Sequence, residues 1–396
     1  MAQTWPVTRN KKLALKAIDA IGPALLPLLE RVWRPRKGAG EPVNRILVIE
    51  PWLIGDVVLA TPLLQALRER YPDAQISLLA KPHAEVLLRN SGLIDEVIVF
   101  DLPWTAYTGK YSPSRYDRRA IGELVARLRR EKFDLTIDSR MDIRSNVVTF
   151  ATGAPRRIGY AFGGGSYLLT DALPASPDDH HKVYDWLALL QPLDDGRWGG
   201  LDIAGNLARR FKPQLRVTPD ERAEAAHRMR ALGIREDDLV VGIHPGASQP
   251  RRRWPLEDFA WVAEALAARH STKTLVFLDP ESYGETMRLA DARFLKTSLR
   301  ELMAAMTQCD LLLCNDSGPM HIADALGVPL VGIFTTGNPA WHRPFGDDQI
   351  TVGRGTGHDF ISYPTPADVL QAAEKQLARA HSFRVGRQLV SEPAAR

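Results

Sequence analysis

Cysteine is nearly absent: Cys309 and Cys314 are the two found in 396 residues. So close a pair, at the start of a predicted strand, excludes a disulfide framework and a cysteine-based zinc site. The ten histidines stand singly apart from His180 and His181, and none falls in HExxH or HxxE spacing, so no metal is expected. Long apolar runs are missing too. The longest candidate, residues 20–29, is interrupted by Pro23 and Pro27, well short of the roughly 18 apolar residues that a membrane span needs. It is flanked by basic residues and followed by no small-residue cleavage site, which argues against a secretory signal.

Familiar phosphate and nucleophile motifs are also lacking. No GxxxxGK[ST] run is present, so a P-loop kinase or ATPase has no anchor. The glycine clusters "FGGGSY" (162–167) and "GRGTG" (353–357) lack the strand, spacing and helix of a GxGxxG turn, which disfavours nicotinamide binding. Neither a GxSxG elbow nor a kinase signature set occurs. The net charge of +4, with 25% of residues charged, suits an anionic ligand or membrane surface and does not demand nucleic acid.

What is present is alternation. Residues 1–43 form a basic, amphipathic helical extension and a linker, "PRKGAGEP". In the extension Leu13, Ala17, Ile18, Ile21, Leu25, Leu28, Leu29 and Val32 recur at near-helical spacing beside Arg9, Lys11, Lys12, Lys16, Arg31, Arg34 and Lys37. Two readings stand: an interfacial helix on a membrane surface, or a helix packed on the protein itself. From 44 to 205, strand-like runs ("NRILVIEP", "AQISLLA", "EVIVFDL", "FDLTIDSR") alternate with helical ones, the pattern of a parallel sheet covered by helices. The pattern weakens between about 192 and 219, which is rich in Gly, Pro and Asp. It restarts over 206–365 with "LVVGIH", "KTLVFLD", "LLLCND" and "PLVGIF", and 366–396 supplies a last helix and tail. Two doubly wound α/β domains are therefore expected, with chemistry in a cleft bordered by the carboxyl ends of their strands.

Three stretches carry candidate chemistry. In "IEPWLIGDVVLATPLLQALRERYP" (49–72), Asp56 stands where a strand turns into a helix. It can cap that helix by accepting from the amide of Val58 or Leu59, take a proton from a substrate, or do both. In "GIHPGASQPRRRWP", small residues after a strand let backbone amides approach an anion, and guanidinium groups pair with phosphate oxygens. In "CNDSGPMHIADALG", Asp316 or Ser317 can cap a helix that opens with Gly318 and Pro319. Alternatively, those amides face a phosphate, aided by the helix dipole, with His321 close by.

Together the stretches 46–72, 241–259 and 309–334 resemble the signature regions of the ADP-heptose:lipopolysaccharide heptosyltransferases, glycosyltransferase family nine, in order and at similar spacing. The resemblance implies a GT-B fold with two Rossmann-like domains, the acceptor held by the first and the nucleotide sugar by the second. It also implies inverting transfer of heptose to a lipopolysaccharide core or related glycan, with no metal and no cofactor. Asp56 matches the family's proposed base, and Arg252 its basic phosphate ligand, with Arg253 beside it. Ser248, Asp316, Ser317, Gly318 and His321 fall in the donor-binding turns. Glu281 is a candidate for the ribose, and Asp138, Arg140 and Arg144, at a strand end of the first domain, for an anionic acceptor. The implied partners are a nucleotide-sugar donor and a glycan or glycolipid acceptor, and no nucleic acid. The implied setting is the cytoplasm, at the inner face of the membrane if 9–37 binds lipid.

The chain departs from the family pattern in two places. Glu50, Pro51 and Trp52 stand where many members have a basic residue and small residues, and Gly337, Asn338 and Pro339 replace a Thr-Asp-Pro turn. Both bear on which acceptor and sugar are used. Another nucleotide sugar, a natural-product or protein acceptor, and a non-catalytic nucleotide-binding module stay open as alternatives.

Overall fold

In the computed structural model the described residues are 9–33, 42–106, 112, 114, 116–174, 180–196, 202–353 and 363–391. Most of the 35–42 linker, Arg34, Lys37, residues 197–201 of the glycine-rich segment and residues 354–357 of the second glycine cluster lie outside them. The chain divides into two compact units, Met1–Phe211 and Lys212–Arg396, the division falling inside the Gly-, Pro- and Asp-rich segment.

The first unit runs α1 (Arg9–Trp33), β1 (Arg45–Ile49), α2 (Ile54–Arg70), β2 (Gln75–Ala80), α3 (Pro82–Leu88), β3 (Glu96–Val99), α4 (Arg118–Arg130), β4 (Leu135–Asp138), α5 (Ile143–Ala151), β5 (Arg156–Tyr160), β6 (Asp171–Leu173), α6 (Val183–Ala188) and α7 (Ala208–Arg210). Its six strands pair in the order β3-β2-β1-β4-β5-β6, all parallel. β1 is central, and Ile46, Leu47, Val48 and Ile49 are fully buried. This is why the strand reads as continuously apolar and not alternating. The order reverses between β1 and β4, so a crevice opens beyond their carboxyl ends.

The second unit repeats the plan with α8 (Pro219–Ala231), β7 (Val240–His244), α9 (Leu256–His270), β8 (Lys273–Leu278), β9 (Ala292–Lys296), α10 (Leu299–Met306), β10 (Leu311–Asn315), α11 (Gly318–Ala325), β11 (Leu330–Ile333), α12 (Pro339–His342), β12 (Ile350–Val352) and α13 (Pro366–Ser391). Its order, β12-β11-β10-β7-β8-β9, is again all parallel, and it switches between β7 and β10. α13 belongs to this unit's core: Val369, Leu370, Ala373 and Leu377 are buried with Trp254, Phe259 and Val331. Cys309 and Cys314 are both buried and free, and burial pushes both thiols far up.

α1 packs on its own unit. Asp19 accepts from the Gly165 amide at 2.7 Å, and Gly22 lies so close to the Tyr167 ring that a Cβ there would fall 2.1 Å from it. The helix still leaves Ile18, Ile21, Leu25 and Leu28 exposed, at spacings of three and four that put them on one face. Both readings of the extension thus have a face of the helix. Among the described residues no helix is long and apolar enough to cross a membrane.

Candidate functional site

Each unit gathers its candidate residues at its own switch point. In the first, α2 begins at Ile54, and its N-cap is Leu53, whose side chain makes no cap bond. Asp56 therefore sits in the third helical position, and its Oδ2 accepts from the Leu53 amide at 3.3 Å. The expected forward cap to Val58 or Leu59 is replaced by this backward reach, which satisfies one amide and leaves the other oxygen for a partner. That partner is Arg140, just past β4, whose Nη1 donates to Asp56 Oδ1 at 3.1 Å. The guanidinium lies 4.5 Å from the Trp52 ring centre.

The same Arg140 nitrogen stands 3.6 Å from Glu50 Oε1. Glu50 follows the last residue of β1 and is fully buried. Its other oxygen accepts from the Ser139 hydroxyl and from Trp186 Nε1 at 3.1 Å. Burial pushes Glu50 up to about 7; Arg140 opposes the rise and Asp56 adds to it. Asp138, proposed for an anionic acceptor, is instead fully buried and accepts from the Arg140 amide at 2.9 Å. Desolvation holds its carboxyl well above the usual range, so it supports the Arg140 turn from below. Arg144 donates to Asp142, with Nε 2.9 Å from Oδ1, and Asp142 also caps α5 by accepting from the Arg144 amide. Asp56 and Arg140 are thus brought into contact, while Arg144 pairs on its own helix end.

In the second unit, Arg252 Nη1 lies 3.1 Å from Asp316 Oδ2, joining the loop after β7 to the end of β10. Asp316 is buried; desolvation raises its carboxyl and Arg252 draws it back. Arg253 is held by the Ala247 carbonyl at 2.9 Å, by Glu281 at 3.0 Å and by the Tyr283 ring, 4.4 Å from its guanidinium. Glu281 is exposed at the rim of this loop, as is Ser248. A Cβ on Gly246 would meet Asp279 Oδ2 at 2.4 Å, so the Asp279 side chain would have to move for any larger residue there.

α11 starts at Gly318 with Ser317 as N-cap, and Ser317 makes no cap bond to the first turn. Its hydroxyl donates to the Asn315 carbonyl at 3.2 Å instead. The Gly318 amide that opens α11 is therefore left without a side-chain cap, while Pro319 has no amide hydrogen and the Met320 amide donates to the Ser317 carbonyl at 3.1 Å; an open helix start of this kind can receive an anion. His321 is buried in the same helix.

Sequence reading passed over two organisers. Buried Asn315 accepts from the Trp254 amide at 3.0 Å and donates to the Pro245 carbonyl at 2.6 Å, so one side chain ties the glycine loop, the arginine loop and β10 together. Glu50 was noted there only as a departure from the family pattern. Its signal was available: an acidic residue directly after the fully apolar run 46–49 of a central parallel strand stands at the switch-point end of the sheet.

Comparison with known proteins gives the family and the fold. The model of glycosyltransferase family 9 (heptosyltransferase) matches residues 121–361, a stretch that contains the second unit's cluster with Asp138, Arg140 and Arg144 and begins after Asp56. The chain is 26% identical over 319 residues to lipooligosaccharide heptosyltransferase 2 of Haemophilus influenzae, covering 78% of this chain and 88% of the relative. It is 26% identical over 337 residues to lipopolysaccharide heptosyltransferase 2 of Escherichia coli, covering 79% and 89%. It superposes on the structure of E. coli ADP-heptose LPS heptosyltransferase II with a TM-score of 0.67 at 25% identity, covering 85% of this chain and 99% of that one. A family 9 glycosyl transferase from Veillonella parvula shares the fold, with a TM-score of 0.70 at 24% identity, covering 86% and 100%. With more than half its length matched by the family model, this chain belongs to glycosyltransferase family 9, the heptosyltransferase family, and is a glycosyltransferase.

Proposed function

We propose that the protein transfers heptose from ADP-heptose to a lipopolysaccharide core acceptor, with inversion and without a metal. The observation that carries this reading is the phosphate-shaped end of the second sheet. Arg252, aligned by Asp316, stands at the switch point that also holds the uncapped start of α11. Guanidinium and helix amides are the groups that stabilise a departing diphosphate. The relatives' names supply the sugar and the acceptor.

In the proposed step an acceptor hydroxyl oxygen forms a bond to the anomeric carbon as the bond from that carbon to the diphosphate oxygen breaks. The hydroxyl proton passes to Asp56, and the electron pair leaves with ADP, whose added charge falls on Arg252 and the α11 amides. A single displacement from the opposite face inverts the anomeric centre. Ser248, Ser317, Gly318 and His321 hold the nucleotide in this scheme, Arg253 positions the loop, and Glu281 meets the ribose. Arg140 and Arg144 receive the anionic acceptor.

Residues 9–37 are proposed to rest on the cytoplasmic face of the membrane, where a lipid-anchored acceptor is presented. They hold eight Lys and Arg against two acidic residues, so their net charge exceeds the +4 of the whole chain. The exposed Ile18, Ile21, Leu25 and Leu28 give the apolar face. Flotation with phosphatidylglycerol vesicles should capture the protein, phosphatidylcholine vesicles should not, and the double variant Ile21→Asp, Leu25→Asp should abolish capture.

Isothermal titration with ADP, UDP and GDP in EDTA tests the donor. Selective ADP binding is expected. Preference for UDP or GDP, or binding only after metal is restored, would overturn the donor assignment while leaving the fold.

A further inference from the structure

We propose that Glu50 is a positioning residue for transfer: by competing for Arg140 it sets how strongly Asp56 takes the proton of the acceptor hydroxyl. The inference rests on Asp56 being the base.

One guanidinium nitrogen serves two carboxylates, Asp56 at 3.1 Å and Glu50 at 3.6 Å. When Glu50 is neutral, it no longer competes for Arg140, and the guanidinium draws more strongly on Asp56. When Glu50 is ionised, two carboxylates share the one guanidinium, and Asp56 becomes the stronger proton acceptor. Glu50 cannot take the substrate's proton itself, because it is fully buried. It is held in place on two sides, by Ser139 after β4 and Trp186 on α6.

The other charged groups facing the cluster are identifiable. Asp138 lies under Arg140 and feels Glu50. His83 on α3 feels Asp56, together with Lys81 and Asp101; its burial lowers its own proton affinity, so it is neutral where Glu50 titrates. Burial places the Glu50 transition near neutrality.

Three readouts test the proposal. First, kcat for transfer is followed from pH 5.5 to 8.5 in the wild type and in Glu50→Gln, which keeps an acceptor for Ser139 and Trp186. The wild type should gain rate by on the order of threefold to tenfold through a step near neutrality, and the variant should lose that step. A variant with the same step, or with its rate reduced by one factor at every pH, overturns the proposal. Second, Trp186→Phe removes a donor to the Glu50 carboxylate and should move the step to higher pH; an unmoved step contradicts it.

Third, the carboxyl carbon-13 resonance of Asp56, assigned by its loss in Asp56→Asn, needs no turnover. It should shift through neutrality in the wild type and not in Glu50→Gln. Identical titrations in both proteins would overturn the inference even if heptose transfer is confirmed, and absence of transfer would leave this readout to decide.

Discussion

In the proposed mechanism Asp56 and Arg252 divide the work, so their variants should fail differently. Asp56→Ala should lower transfer by about 10²–10⁴-fold, the usual contribution of a general base, while ADP affinity changes little. Kinetics beside titration of the same preparation checks this, and unchanged transfer would remove Asp56 as the base. Arg252→Ala should cost about 1.5–3 kcal/mol of ADP binding, roughly a 10- to 150-fold rise in Kd, and unaltered affinity would contradict its role. Glu50 makes a separate prediction about stability. Its proton is held more tightly in the folded chain, with the transition raised from 4.5 to about 7. The stabilisation is therefore complete below the lower value and is lost as pH rises through the upper one. Glu50→Gln should match the wild-type Tm near pH 4 and exceed it at pH 8; a gap that does not open with pH would show that Glu50 does not titrate in this range.

Among the elements, α13 carries the plainest stability test. Leu370 is buried against the second sheet's core, and Gln376 donates to the β11 carbonyl of Leu330 at 3.1 Å. Leu370→Ala should cost about 2–4 kcal/mol, the range of large-to-small core changes, as read by denaturant unfolding. The central strands were legible in the sequence because they are buried on both faces and so carry unbroken apolar runs. β6 and β12 span three residues each, and β9 is half exposed with Arg293 and Lys296. These edges carry too few apolar side chains to show a period, and their place in the sheets comes from parallel pairing with neighbours distant in sequence. Asp316, Ser317 and Gly318 were readable at a strand-to-helix junction. The Asp56–Arg140–Glu50 contact was not, since it joins residues 84 apart in sequence that only the switch between β1 and β4 brings together.

At the scale of the whole molecule, two copies of one topology each present charged groups at a switch point. The first presents a carboxylate under an arginine, and the second an arginine and the start of a helix. In the proposed mechanism these groups are the proton acceptor and the diphosphate ligand of an inverting transfer, each placed where its own strand order reverses. The most direct test is to incubate the protein with ADP-heptose and a lipid A-core acceptor in EDTA and to analyse the glycolipid by mass spectrometry. One added heptose, with ADP released in equal amount, is the predicted result. An unchanged acceptor, in the presence of a protein that binds ADP and is fully folded, would contradict the account.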